Sequence, residues 1–265
     1  MKFAVSPGWF TGSYEDRVKA TRAYGFSAIE NLGWVGVDLD SASAVLREYD
    51  VVNTALFLKS EDTNVSEIVG WHHGMVYEDS IPYVMKAFAE TAAAAKKLVT
   101  PNIVMISGDE RFDVSREKQL ENCVKALRAV APMAEDAGLT VCVEPLNRIV
   151  DHKGYFLNTS ADAFDIIKQV DSPAVRVLFD VYHQQVTEGN VIRNLTENLP
   201  LIGHVHVADN PGRNQPATGE LNYPVIFDKL ATAGYDKYLA FECGTTLPTE
   251  ELVCEMKMLI SPFEK

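Results

Sequence analysis

Short β-rich runs alternate with amphipathic stretches along the whole chain. The strand-like runs are Lys2 to Ser6, Phe26 to Glu30, Val51 to Leu58, Asn102 to Ser107, Thr140 to Glu144, Val175 to Asp180, Ile202 to Val207 and Tyr238 to Glu242. Between them the spacing predicts helices, most clearly over Arg116 to Ala137. There Leu120, Cys123, Val124 and Leu127 fall at i, i+3, i+4 and i+7, one apolar face. Ala163, Ile166, Ile167 and Val170 repeat that spacing behind Thr159, a residue type that caps helix N-termini. Gly138 and Gly234 stand where helices must stop before the next strand. Eight strand–helix units in 265 residues take about 33 residues each. Such alternation implies parallel strands with helical crossovers. No Gly-x-Gly-x-x-Gly follows the first strand, so the pattern favours a single α/β (β/α)8 TIM barrel over a doubly wound sheet. No proline-rich or low-complexity linker divides it, and residues 1–265 are read as one domain with its active site at the C-terminal strand ends. The interval Lys59 to Ser80 is long for a βα loop and is expected to lie over the barrel mouth.

Composition supports a packed interior: 47% of residues are hydrophobic and 23% charged. Charge narrows the partners. Against 24 Lys and Arg stand 37 Asp and Glu, a net charge of −13, which argues against nucleic acid or an anionic membrane as the main partner. The N-terminal run before Pro7 is too short for a signal peptide, and no stretch has the length and apolarity of a membrane span. Cys123, Cys142, Cys243 and Cys254 form no Cys-x-x-Cys pair, which suits a reducing compartment; a cytoplasmic protein is expected.

Four of the strand-like runs end in an acid: Glu30, Glu144, Asp180 and Glu242. A fifth carries His204 and His206 at period two, on one face. An acid after an apolar strand is commonly just the first loop residue or a helix N-cap. In a barrel, however, the C-terminal strand ends converge on one mouth. Glu144, Asp180, His206 and Glu242 would then meet, and three carboxylates in a dry mouth need protons or a cation between them. Three oxygens and one imidazole suit a hard or borderline divalent ion, Mn2+, Mg2+ or Co2+. His206 is preferred to His204 because it lies nearer the strand's C-terminal end. His183 follows Asp180 closely, and Arg213 sits in the loop Asn210-Pro211-Gly212-Arg213-Asn214; both are candidates for holding a substrate oxygen or carboxylate. Trp9, Phe10, Trp34 and Trp71 could form an apolar wall over a substrate or pack ordinarily, and for Glu30 an orienting role and a structural one stand level.

The sequence resembles the sugar isomerase/epimerase barrel superfamily, which is xylose isomerase-like. The likeness rests on Val143-Glu144-Pro145-Leu146-Asn147, Gly154-Tyr155-Phe156-Leu157-Asn158, Asp180-Val181-Tyr182-His183-Gln184 and the stretch from Gly203 to Tyr223. It is strongest to the hydroxypyruvate isomerase group, while a histidine at position 206 is a ketose 3-epimerase feature. The resemblance implies metal ligands at Glu144, Asp180, His206 and Glu242, substrate contacts at His183 and Arg213, and Glu144 and Glu242 as an acid/base pair. It also implies proton transfer between adjacent carbons through a metal-held cis-enediolate. The substrate would be a small sugar or keto acid, and the protein a homodimer or homotetramer. Val150 stands where ketose 3-epimerases carry a second glutamate, so the chain shares features with both groups.

An isomerase or epimerase of a small hydroxy-carbonyl compound is therefore the first expectation. An inosose-type dehydratase on the same site comes second. A phosphodiesterase like the apurinic-site nucleases is disfavoured by the acidic surplus and the six histidines, and a non-catalytic barrel by the full ligand set.

Overall fold

In the computed structural model, residues 1–264 are described; Lys265, the end of the expected domain span, lies outside the described residues. The strands are β1 (Lys2–Ala4), β2 (Ala28–Ile29), β3 (Val52–Asn53), β4 (Ala55–Phe57), β5 (Asn102–Met105), β6 (Thr140–Val143), β7 (Val175–Asp180), β8 (Ile202–Val207) and β9 (Tyr238–Phe241). The helices are α1 (Tyr14–Ala23), α2 (Leu39–Glu48), α3 (Thr63–Ile68), α4 (Ile81–Leu98), α5 (Arg116–Ala137), α6 (Ser160–Val170), α7 (Val181–Thr187), α8 (Val191–Glu197), α9 (Tyr223–Thr232) and α10 (Thr249–Ile260).

Every strand pairing is parallel. Seven strands run in the order β1-β9-β8-β7-β6-β5-β4, and β2 pairs with β3. A parallel bridge between Val5 and Ile29 joins β1 to β2, so the circuit closes into a barrel. The expected strand Val51 to Leu58 divides at Thr54 because its partner changes there. Val52 and Asn53 pair with β2, whereas Ala55 to Phe57 pair with β5.

Local sequence sets the boundaries. Ser115 accepts a hydrogen bond from Lys118 N and starts α5; Gly138, at φ 67°, ends it in the left-handed conformation. Thr159 caps α6 by accepting from Asp162 N. The apolar faces of these helices pack against the outside of the sheet, in one large core that runs from Met1 to Ile260.

The barrel's inside is filled separately. Ala4, Ala28 and Ala240 form one buried group, and Ala55, Val104, Cys142 and Leu178 another, with Phe57 packed on the second. Small residues on one wall and larger ones on the other thus plug the lumen, in the manner of layered barrels. The acids and histidines at the strand ends lie in the layer above. Leu178→Ala is expected to cost about 2–5 kcal/mol, since it empties part of this plug. Urea denaturation checks this, and an unchanged midpoint would contradict the packing described.

Candidate active site

Successive strands deliver the side chains to one mouth. Glu144 follows β6, and its carbonyl accepts from Tyr155 Oη at 2.8 Å while that oxygen accepts from Ser107 N at 2.9 Å. The phenol therefore locks the end of β6 to the segment after β5. Asp180 closes β7 and caps α7: its Oδ1 accepts from His183 N at 3.0 Å, which leaves Oδ2 for the mouth. At this position the ordinary role of a strand-end acid and the site role coexist. His204 and His206 lie on β8, and Glu242 follows β9.

His206 is the hub. Its Nδ1 lies 3.4 Å from Glu144 Oε1, 3.3 Å from Glu242 Oε2 and 3.9 Å from Asp180 Oδ2. Ligand-type atoms of these four residues all fall within 4.8 Å of one another, a group that could hold a metal ion. Glu144 Oε1, Asp180 Oδ2 and His206 Nδ1 are buried and lack a hydrogen-bond partner. Each such group costs about 1–3 kcal/mol. A cation among them would satisfy all three.

Behind the imidazole stands Glu30. Its Oε1 is 2.5 Å from His206 Nε2, and its Oε2 is 2.6 Å from His204 Nε2 and 2.5 Å from Thr54 Oγ1. One carboxylate therefore holds both histidines and fixes the tilt of His206, with Nδ1 turned to the three acids. This carboxylate–imidazole arrangement is the usual way a metal-facing histidine is oriented. Burial works against ionisation of Glu30, but His204 and His206 outweigh it and hold its carboxyl well below the usual range. Burial likewise disfavours a charged His206, yet Glu30 and Glu242 raise it well above the ordinary histidine value. Burial raises Glu144, with Glu242 and Asp180 adding to the effect, whereas His206 and Arg213 overcome burial and lower Glu242.

His183 is held as a neutral donor. Asn147 Oδ1 accepts from Val150 N at 3.0 Å and Asp151 N at 3.2 Å, so its Nδ2 is the atom that donates to His183 Nδ1 at 2.7 Å. That assigns the imidazole proton to Nε2, which is buried, has no hydrogen-bond partner and lies 3.7 Å from Asp180 Oδ2. Burial lowers the His183 pKa to about 4, with Arg213 adding to it and Asp180 opposing.

Arg213 comes from the loop after β8. Its guanidinium pairs with Glu242 and lies 3.7 Å from Asp180 Oδ2. Buried Asp209 shapes that loop by accepting from the N–H groups of Asn210, Thr218, Gly219 and Leu221. Gly219 is required there, because a Cβ would overlap the Asn210 carbonyl. Asn147 and Asp209 are roles that the sequence reading did not assign. Asn147 belongs to the Glu144-Pro145-Leu146-Asn147 run and Asp209 directly follows β8, which is the signal each offered.

The expected aromatic wall is divided. Trp9 packs on Phe241, Phe10 stacks on Tyr24, and Trp34 donates to the Phe57 carbonyl; all three are buried. Trp71 is 39% exposed and stacks on His152, whose ring lies 5.2 Å from that of His183. It belongs to the long 59–80 segment. There His72 pairs with Asp109 and His73 stacks on Tyr77. A surface cavity of about 700 Å3, between residues 216–224 and α10, gathers no comparable polar constellation.

Residues 18–260 match the xylose isomerase-like TIM barrel family. The chain belongs to that family. It is 26% identical over 256 residues to the hydroxypyruvate isomerase of Escherichia coli, covering 94% of this chain and 96% of the relative. Two crystal structures are similar. An AP endonuclease, family 2, from Brucella melitensis gives a TM-score of 0.87 at 24% identity, covering 100% of this chain and 99% of that one. The apo 3-keto-D-glucoside 4-epimerase of E. coli gives 0.77 at 23% identity, over 98% and 99%. At these identities the two structures show the fold. The chain is also 28% identical over 233 residues to the 3-dehydro-D-guloside 4-epimerase of E. coli, covering 82% of this chain and 85% of the relative, and it is an isomerase or epimerase of this barrel family. Among the described residues no helix is long and apolar enough to cross a membrane.

Glu30→Gln tests the geometry directly. Loss of the carboxylate behind His206 is expected to weaken Mn2+ binding about 10–100-fold. Calorimetric titration reads this, and unchanged affinity would remove Glu30 from the site.

Proposed function

We propose that Glu144, Asp180, His206 and Glu242 hold one divalent cation, Mn2+, Mg2+ or Co2+, and that the chain isomerises or epimerises a small hydroxy-carbonyl compound such as hydroxypyruvate. The observation that carries this is the set of three buried, unpartnered atoms from Glu144, Asp180 and His206 facing one point. Such a cation would supply Lewis acidity, stabilising negative charge as it develops on the substrate's oxygens.

The chain's own groups do the proton work. Glu144 and Glu242 flank His206 Nδ1 at 3.4 and 3.3 Å, so two carboxylates border the same reacting position. One removes the proton from the carbon beside the carbonyl, and the other returns a proton to the adjacent carbon or the opposite face. Glu242, with 36% of its side chain exposed, opens toward the mouth; Glu144, with 8%, is covered. His183 Nε2–H donates to a substrate oxygen. His206 and, after it, Arg213 favour the ionised form of Glu242, and Arg213 adds positive charge at the rim.

Glu144→Gln and Glu242→Gln are each expected to abolish turnover while the far-UV spectrum and melting temperature stay near wild type. Retained activity in either variant contradicts the two-glutamate mechanism. Chelation should stop the reaction, with recovery on adding Mn2+, Co2+ or Mg2+. Loss of water from the substrate would instead indicate a dehydratase.

Cation binding should also be linked to protons. Burial raises Glu144 to about 7, and Glu30 and Glu242 hold His206 above the ordinary histidine value, so ligation displaces protons from both. Affinity is then expected to fall as pH drops below about 7, and the calorimetric heat to depend on the buffer's ionisation enthalpy. A buffer-independent heat would contradict the ligand assignment.

A further inference from the structure

The turn after β6 brings a further imidazole to the mouth. His152 is held on both sides along the chain: its N–H donates to the Asn147 carbonyl at 3.1 Å, and its own carbonyl accepts from Tyr155 N at 3.1 Å. The adjoining Asp151 carboxylate is fixed too, since its Oδ2 accepts from Asn147 Nδ2 at 2.8 Å and from Tyr182 Oη at 2.7 Å. Trp71 then sets the ring, stacking on it at 4.9 Å with the planes 6° apart.

Stacking occupies a face of the imidazole, whereas the nitrogens lie at its edge. Neither His152 ring nitrogen makes a hydrogen bond or ion pair among the described residues, and neither is sealed from solvent. The other imidazoles of the mouth have partners: Glu30 for His204 and His206, and Asn147 for His183. Burial, with Arg213 adding to it, lowers the His152 pKa from the ordinary value, against the pull of Asp151, Glu242 and Asp180. At neutral pH the ring therefore offers one N–H donor and one bare nitrogen. A hydroxyl, itself donor and acceptor, matches either nitrogen; a carboxylate matches only the N–H.

The distances to the acids are short. His183 Nε2 lies 3.7 Å from Asp180 Oδ2, and the ring centroids of His183 and His152 are 5.2 Å apart. Exposure rises along the same line, from fully buried Asp180 and His183, through half-buried His152, to Trp71 at 39%. A substrate with its carbonyl end at the Glu144–Asp180–His206–Glu242 group and one oxygen at His183 thus has His152 beside its outward end. Oxygens one or two carbons apart in a sugar chain have a separation comparable to that of the two rings.

We propose that His152 is a specificity-determining residue: one of its ring nitrogens hydrogen-bonds a substrate hydroxyl beyond the oxygens held at the acids and at His183, which selects hydroxylated chains of four carbons or more. This rests on the site reading given under Proposed function and extends it by naming the part of the substrate that the rim recognises. A three-carbon compound has its oxygens used at the acids and His183 and gains nothing from His152. Trp71 acts only through the stack, as a positioning residue.

The test titrates full-length protein in saturating Mn2+ with erythrulose and with its 4-deoxy analogue, which lacks only the terminal hydroxyl, and reads calorimetric heat and tryptophan fluorescence. Wild type is expected to bind erythrulose about ten times more tightly, the size of one well-made hydrogen bond. His152→Phe keeps a ring for Trp71 and removes both nitrogens. It should erase the preference while Mn2+ affinity, melting temperature and affinity for the 4-deoxy analogue stay at wild-type values. His152→Gln, which returns an amide to that edge, should restore part of the preference. Equal binding of the two ligands by wild type, or an undiminished preference in His152→Phe, overturns the proposal. So does an equal loss of affinity for both ligands in that variant, the mark of a merely structural ring. Turnover is scored separately. If wild type converts no hydroxy-carbonyl compound, the isomerase reading fails while the two affinities still decide the role of His152. If it converts both ligands and binds them equally, the isomerase reading stands and the His152 assignment falls.

Discussion

The Glu30–His206 pair is the interaction on which the mouth depends. A freely turning imidazole at His206 would leave Glu144, Asp180 and Glu242 with no fixed centre. Glu30, at 2.5 Å from Nε2, removes that freedom and aims Nδ1 at the acids. The same carboxylate holds His204 and the hydroxyl of Thr54, the residue at which the third barrel strand changes partner. Barrel closure and site geometry are thus tied through one side chain. The alanine-rich floor beneath it leaves room for two imidazoles inside a narrow lumen.

Charge is compensated in stages around this pair. Glu30 balances the imidazoles, Arg213 balances Glu242, and the buried oxygens of Glu144 and Asp180 remain without partners. Of the net −13, these acids are a local part; apart from buried Asp209, the other described acids are at least partly exposed. Neutral His183 adds a donor to the mouth without adding charge, because Asn147 fixes its tautomer and burial keeps it unprotonated.

The fold was legible wherever one physical signal was strong. β7, β8 and α5 have the bounds read from the chain, since continuous apolar runs and a clean i, i+3, i+4 face with a terminal glycine leave little choice. The division of Val51 to Leu58 was not legible, because both halves read as strand and only the partner changes. In the site, Glu144, Asp180, His206 and Glu242 could be grouped from strand-end position alone, and they lie together. Glu30 stood level between two roles because its partners are 174 and 176 residues away in sequence, and closure of the barrel brings them into contact. Asn147 and Asp209 act through backbone N–H groups and a histidine tautomer, which no residue pattern displays. Trp9, Phe10 and Trp34 show the opposite case: aromatic residues after early strands that proved to be packing.

Proton transfer by two carboxylates leaves a signature that solvent labelling reads. Conversion of hydroxypyruvate in D2O, followed by proton NMR, should place deuterium at the carbon that receives the returned proton, in metal-supplied wild type and not in the chelated protein. Complete conversion with the original hydrogen retained, and no solvent deuterium at that carbon, would mean a hydride shift or internal return by a single base, and would contradict transfer by two carboxylates.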